Sequence, residues 1–386
     1  MSQTAGDRTG DFMNATEILE KLVSFESVVG TPNGAIVSWI SDYLAAHGVT
    51  AHRLAGPEGD RSNLFATIGP ADAPGYILSG HMDVVPAALS EWTTSPFRLR
   101  RDGDRLYGRG ATDMKGYLAA VLAAAPQLVK AGLARPIHLA FSYDEEAGCC
   151  GAPHLIARLP DFCAPPAGAV IGEPSAMRAV LAHKGKAAAR VTVRGRAGHS
   201  SRPDLGLNAI HAMARILNSA IEAAARLTTG PFDAAFEPAY SSLQAGVIAG
   251  GKAINIVPDI CTLELEARAI AGVNPGDLLA PIRAMAQGLR AEGFTVEWDE
   301  MSAYPALALP AQSPLAHLVE ELTGQTPLGA VSYGTEAGLY QAAGIDALIC
   351  GPGDIGRAHK PDEFILESEL LECQRFIEAL GRRCAA

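Results

Sequence analysis

The 386-residue chain carries 42 acidic against 31 basic side chains, a formal net charge of -11. That balance argues against nucleic acid or an anionic membrane as partner, because both are bound through Lys and Arg clusters. The length suits two domains rather than one, and 40 Gly and 25 Pro punctuate it as in an α/β enzyme with many short connections.

Met1 to Asn14 is polar and reads as a flexible start. It lacks the basic and apolar segments of a signal peptide, and no apolar run approaches a membrane span, so a cytoplasmic protein is expected. From Ile36 to Gly48, apolar Ile36, Trp39, Ile40, Tyr43 and Leu44 recur at helical spacing, and Gly48 supplies a stop. Apolar runs follow at Asn63 to Ile68, Gly75 to Ser79, Ile137 to Ser142 and Ala167 to Ile171, with an Ala-rich helix over Met114 to Lys130 among them. Such alternation predicts an α/β domain, a sheet with covering helices whose strands are buried on both faces.

The pattern changes near Lys186. A strand is expected over Lys186 to Val193, and a helix over Asn208 to Leu227 with Ile210, Met213, Leu217 and Ile221 on one face. Strands over Ser241 to Ile248 and Cys261 to Ala269, a helix over Pro275 to Leu289 and a strand over Phe294 to Trp298 complete the order β-α-β-β-α-β of a ferredoxin-like split unit. We read it as an α+β domain inserted at 186–300 between two parts of the first, 15–185 and 301–386. Seven cysteines in no paired spacing suit a reducing compartment, and adjacent Cys149 and Cys150, flanked by glycine, read as packing residues rather than a redox pair.

Five acid- or histidine-bearing segments fall at expected strand ends or in loops: His81 with Asp83, Asp113, Glu145 with Glu146, Glu173, and His359. Each has an ordinary explanation when taken alone: a salt-bridged buried histidine, a helix cap, a solvated acidic turn, an exposed loop histidine. Together they meet the needs of two divalent ions such as zinc, with one carboxylate shared and one left for proton transfer. Spacing two apart in extended chain lets Asp83 hold one nitrogen of His81 while the other faces a metal. Adjacent Glu145 and Glu146 diverge in extended chain, so one can ligate while the other stands off.

These segments, written out as Ser79-Gly80-His81-Met82-Asp83, Gly108-Arg109-Gly110-Ala111-Thr112-Asp113-Met114-Lys115-Gly116, Asp144-Glu145-Glu146, Gly172-Glu173-Pro174 and Ala358-His359-Lys360-Pro361-Asp362-Glu363, resemble the motifs of the M20 metallopeptidase and deacylase family. The resemblance runs in order from about Ala15 to the C-terminus. Within the family the chain is similar to the acetylornithine deacetylases through Ala182-His183-Lys184-Gly185, Gly198-His199-Ser200-Ser201 and Tyr333-Gly334-Thr335-Glu336-Ala337.

The resemblance implies a metallohydrolase catalytic domain with an inserted lid and dimerisation domain. Asp113 would bridge two zinc ions, for which cobalt substitutes, with His81 and Glu173 completing one site and Glu146 and His359 the other. It also implies Glu145 as general base, Asp83 as the residue orienting His81, and a cis peptide at Asp113-Met114. His199, in a Gly-rich loop, would steady the oxyanion from the partner subunit of a homodimer. Asn255 and Arg268 would take the substrate carboxylate, though both also read as plain solvent-face residues, and Glu336 would take the ammonium of N2-acetyl-L-ornithine. A deacylase or desuccinylase for another N-acyl amino acid, a dipeptidase, and a catalytically silent binding module of the same fold are the alternatives.

Overall fold

A computed structural model of the protein describes residues 13–385. Along the chain run α1 (Ala15–Val23), α2 (Gly34–Ala46), β1 (Ala51–Ala55), β2 (Ser62–Ile68), β3 (Tyr76–His81), β4 (Arg100–Asp102), β5 (Arg105–Tyr107), α3 (Lys115–Ala131), β6 (Ile137–Ser142), α4 (Ala152–Ile156) and β7 (Gly168–Pro174). Next come β8 (Ala182–His183), β9 (Gly185–Arg194), β10 (Gly198–His199), α5 (Ala209–Leu227), β11 (Ser242–Gly250), β12 (Ile256–Val257), β13 (Ile260–Ala269), α6 (Pro275–Gly288), β14 (Thr295–Tyr304) and β15 (Leu307–Ala308). The last elements are α7 (Pro314–Thr323), α8 (Ala337–Ala342), β16 (Ala347–Gly351), β17 (Phe364–Leu366) and α9 (Glu367–Cys384). Two compact units result: the second takes Leu181–Ala308 and Gly329–Ala342, and the first takes the remaining described residues.

The first unit is built on a six-stranded sheet in the order β1-β2-β6-β3-β7-β16. Strands β6, β3, β7 and β16 are mutually parallel, while β2 runs antiparallel to β6. Every residue of β6 and β7 is buried, as strands covered on both faces require. Helix α3 is apolar nearly all round and lies in the core, with α1 and α9 packed against it. Local signals set its limits and those of α1. Gly132 ends α3 in a left-handed conformation, and α1 begins at a capping box in which Asn14 accepts from Glu17 N and Glu17 accepts from Asn14 N. The flexible start expected over residues 1–14 lies outside the described residues apart from Met13 and Asn14.

The second unit is a four-stranded antiparallel sheet in the order β11-β13-β9-β14, the arrangement of a ferredoxin-like split unit. Alternation on β13 sends Cys261, Leu263, Leu265 and Ala267 into the core formed with α5 and α6. Two local expectations are corrected. The final strand runs on to Tyr304 rather than stopping at Trp298, because it pairs with β9 along its whole length. Helix α5 buries Ala209, Ala212, Met213, Ile216, Ala220 and Ala223, whereas Ile210 and Ile221 stay 38% and 59% exposed. Small alanines let α5 approach the sheet closely, and the isoleucine stripe is left on its flank.

Candidate metal centre

Four parallel strands of the first unit deliver donor groups to one edge of the sheet. His81 is the last residue of β3 and Glu173 the penultimate residue of β7, while Glu145 and Glu146 occupy the turn after β6 and His359 the loop after β16. Because these strands run the same way, their carboxyl ends coincide, which is where such sheets bind ligands. Asp113 comes from the residues preceding α3, and its peptide to Met114 is cis. The turn after β6 corrects one expectation: Glu145 and Glu146 diverge in a tight turn closed by Gly148 N and Cys149 N on Glu145 O, not in extended chain.

Asp113 is the geometric centre of the group. Its Oδ1 lies 3.0 Å from His81 Nε2, and its Oδ2 lies 3.2 Å from His359 Nε2. Glu146 Oε1 is 3.0 Å from His359 Nε2, and Glu173 Oε1 is 3.8 Å from His81 Nε2. Donor atoms of His81, Asp113 and Glu146 lie within 4.8 Å of one another, as do those of His81, Glu145 and Glu173. A tetrahedral ion with ligands at about 2.0–2.2 Å spaces them roughly 3.3–3.6 Å apart. The four contacts bracket that span, so the residues fit divalent cations of the kind that imidazole and carboxylate prefer.

Electrostatics tell the same story. Burial pushes Glu145 up to about 8, with Glu146, Asp83 and Asp113 adding to the rise against the pull of His81. Burial and the Asp113 charge also raise Glu146, and raise Glu173 well above the usual carboxylate range. Hydrogen bonds to Asp113 and Glu146 lift His359 to about 10. Burial would lower His81, but Asp113 and Asp83 outweigh it and raise it well above its ordinary value. So many negative groups at one strand end are unfavourable without cations to balance them.

The groups around this centre hold it in register. His81 Nδ1 lies 2.9 Å from the backbone carbonyl of Asp83 and 3.5 Å from its carboxylate, so the closer orienting group is the main chain. The Asp83 carboxylate instead accepts the backbone N–H groups of Glu145 and Glu146, each at 3.1 Å. Buried Cys149 donates its thiol to Glu145 Oε1 at 3.3 Å, a contact that its reading as packing alone did not include. Arg61 pairs with buried Asp144 just before the acidic turn.

The remaining candidates belong to the second unit. His199 is exposed on β10, and its Nδ1 accepts the backbone N–H of Ser201 at 3.1 Å, which puts the ring proton on Nε2. Asn255 is exposed in the turn before β12, and its carbonyl accepts Ser200 N at 3.1 Å. Arg268 is not an open fork: Nε and Nη2 donate to Glu266 at 2.8 and 3.2 Å, and Nη1 to Tyr304 at 3.2 Å. Glu336 is buried immediately before α8. Among the described residues, no helix is long and apolar enough to cross a membrane.

Comparison with known proteins places the chain in a family. The profile of peptidase family M20/M25/M40 matches residues 77–383. An acetylornithine deacetylase of Proteus mirabilis is 32% identical over 367 residues, covering 90% of this chain and 91% of its own. One from Myxococcus xanthus is 32% identical over 371 residues, covering 92% and 93%. Among solved structures, an M20-family metallo-carboxypeptidase from Sulfolobus solfataricus superposes with a TM-score of 0.79 at 18% identity, covering 97% of this chain and 99% of that one. A tripeptidase from Staphylococcus aureus gives 0.72 at 20% identity, covering 96% and 98%. These two structural likenesses concern the fold alone.

Proposed function

The chain belongs to peptidase family M20/M25/M40 and is a metal-dependent amidohydrolase, and from that premise we propose that it hydrolyses N2-acetyl-L-ornithine to L-ornithine and acetate, a step of arginine biosynthesis. The observation that carries the hydrolytic reading is Asp113, whose two oxygens each face a different imidazole. The substrate reading draws on relatives that bear the name acetylornithine deacetylase over nine-tenths of their length.

In this reading His81, Asp113 and Glu173 would hold one zinc ion, and Asp113, Glu146 and His359 would hold a second, with cobalt able to substitute. When bound, such ions supply Lewis acidity: they polarise the scissile carbonyl and acidify water. Glu145, a carboxylate beside both ligand sets, takes the proton of the attacking water and returns it to the departing amine. The Cys149 thiol and the Asp83 carboxylate fix the turn that presents it. Asp83 also keeps His81 oriented through its carbonyl, leaving Nε2 toward Asp113 and free to serve as a ligand.

His199 acts as the oxyanion donor through its Nε2 proton and is supplied by a second copy of the chain. A dimer is supported by β11, the edge strand of its sheet, on which Val247 and Ile248 are each 52% exposed and no charged residue interrupts the run. Long apolar edges of this kind pair with another strand. Asn255 and Arg268 receive the substrate carboxylate, Arg268 through the N–H donors not engaged by Glu266 and Tyr304. Glu336 pairs with the ornithine ammonium.

A panel of N2-acetyl-L-ornithine, N-acetylmethionine, N-succinylated amino acids and dipeptides, each with added zinc or cobalt, tests the assignment. Acetylornithine should lead by about tenfold or more in kcat/KM. Leadership by a succinylated or dipeptide substrate would replace it, and absence of any hydrolysis would leave a binding module. Glu336→Gln should narrow the preference for acetylornithine over N-acetylmethionine; an unchanged ratio removes Glu336 from recognition.

A further inference from the structure

Glu363 is a buried carboxylate four residues beyond His359 that takes no part in the proposed hydrolysis. Its Oε1 accepts the backbone N–H groups of Thr112 at 2.9 Å and Asp113 at 3.0 Å. Its Oε2 accepts Gly110 N at 3.0 Å and Arg109 Nη1 at 2.8 Å. Main-chain contacts run alongside: Gly108 N donates to Glu363 O at 2.9 Å, and Thr112 Oγ1 to Phe364 O at 2.6 Å. A single side chain therefore ties the backbone of Asp113 to the segment that carries His359.

We propose that Glu363 is a positioning residue that builds the second metal site, the one formed by Asp113, Glu146 and His359. The inference rests on the two-ion reading above. His81 and Glu173 stand on β3 and β7, paired strands inside the sheet that fix their backbones. His359 stands on a loop with its side chain 52% exposed, and its partner Asp113 precedes its helix on another loop. Their spacing depends on what joins those loops, and Glu363 joins them from within the protein, its charge balanced by buried Arg109. Geometry of this sort, one shell out from the ligands, governs metal affinity.

Gln is nearly isosteric with Glu yet unsuitable here. Each carboxylate oxygen accepts two N–H groups, and an amide has only one oxygen, so its NH2 must face donors in either orientation. Zinc titration of metal-free wild type and Glu363→Gln by calorimetry tests the proposal without reference to activity. Wild type should take up two ions in two steps. Glu363→Gln, which loosens Asp113 in both sites but the tie to the His359 segment in the second alone, should weaken both steps, the second by about 10–100-fold and by clearly more than the first.

Unchanged affinity in both steps overturns the inference, and so does equal weakening of both, which is what a merely structural role would produce. Should Glu363→Gln not fold, Glu363→Asp, which keeps the charge and both acceptors one carbon back, must weaken the second step by more than the first or the inference falls. Wild type that binds fewer than two ions instead overturns the two-ion reading, so the two failures are distinguishable.

Discussion

Chelating the protein and then raising the pH should destabilise it, and Glu145 should account for a measurable part. In the metal-free fold burial holds its carboxyl up at about 8, against an ordinary value of 4.5. Between those values the folded chain binds a proton that the unfolded chain has already released, so stability falls as pH rises through the window. At about 1.4 kcal/mol per pH unit, going from about pH 6 to about pH 7.5 costs about 2 kcal/mol through this group. For a unit of this size that is a drop of about 4–8 °C in Tm. Glu146, Glu173 and His359 are shifted in the same direction and steepen the total, while Asp113 is shifted down and titrates below the window. Differential scanning fluorimetry in excess chelator, on wild type and Glu145→Gln, isolates the contribution: the variant should lose about 4–8 °C less across the same interval. Equal slopes for the two proteins would refute the argument that burial, in the company of other anions, keeps Glu145 protonated.

Three further outcomes are expected. His199→Ala should lower kcat by about 10²–10³-fold with little change in zinc content, as removal of an oxyanion donor does; retention of full kcat would take His199 out of the site. Gly172→Ala should lower stability by about 1–3 kcal/mol. A Cβ at Gly172 would fall 2.1 Å from the buried Tyr117 ring, beside Glu173, and a thermal melt equal to wild type would show that the ring can yield. Val247→Lys on the edge strand should convert a dimer to monomer in light scattering, since an edge lysine opposes strand pairing; an intact dimer would place the interface elsewhere.

Three of the four parallel strands are legible in the sequence because they are buried on both faces, so the runs ending at Ser79, Ser142 and Ile171 lie almost in register with β3, β6 and β7, whereas the short β16 has no counterpart among the expected strands. Helix α1 is a nine-residue helix behind a polar segment, too short for periodicity to mark, so the capping signature of Asn14 and Glu17 is its one local signal. On α5 the expected face holds at Met213 and Leu217 but not at Ile210 and Ile221, because periodicity weighs isoleucine above alanine while close helix-to-sheet packing favours the smaller residue.

At the centre, the donor residues could be picked out by residue type and position, but their supports could not. Nothing local indicates that Asp83 turns its carboxylate toward the Glu145–Glu146 backbone and its carbonyl toward His81. The occupation of Arg268 by Glu266 follows from two side chains meeting on the same strand face, which alternation does imply. Glu363 was visible only as part of a motif, since its partners lie 250 or more residues away.

The central claim is that one carboxylate is shared by two metal ions, and elemental analysis of purified Asp113→Ala against wild type tests it most directly. Wild type should carry two zinc ions per chain after dialysis against the free metal, and the variant should lose both together, because each site loses the Asp113 oxygen that faces it. A variant that keeps one ion at full occupancy, or both, would contradict a shared Asp113.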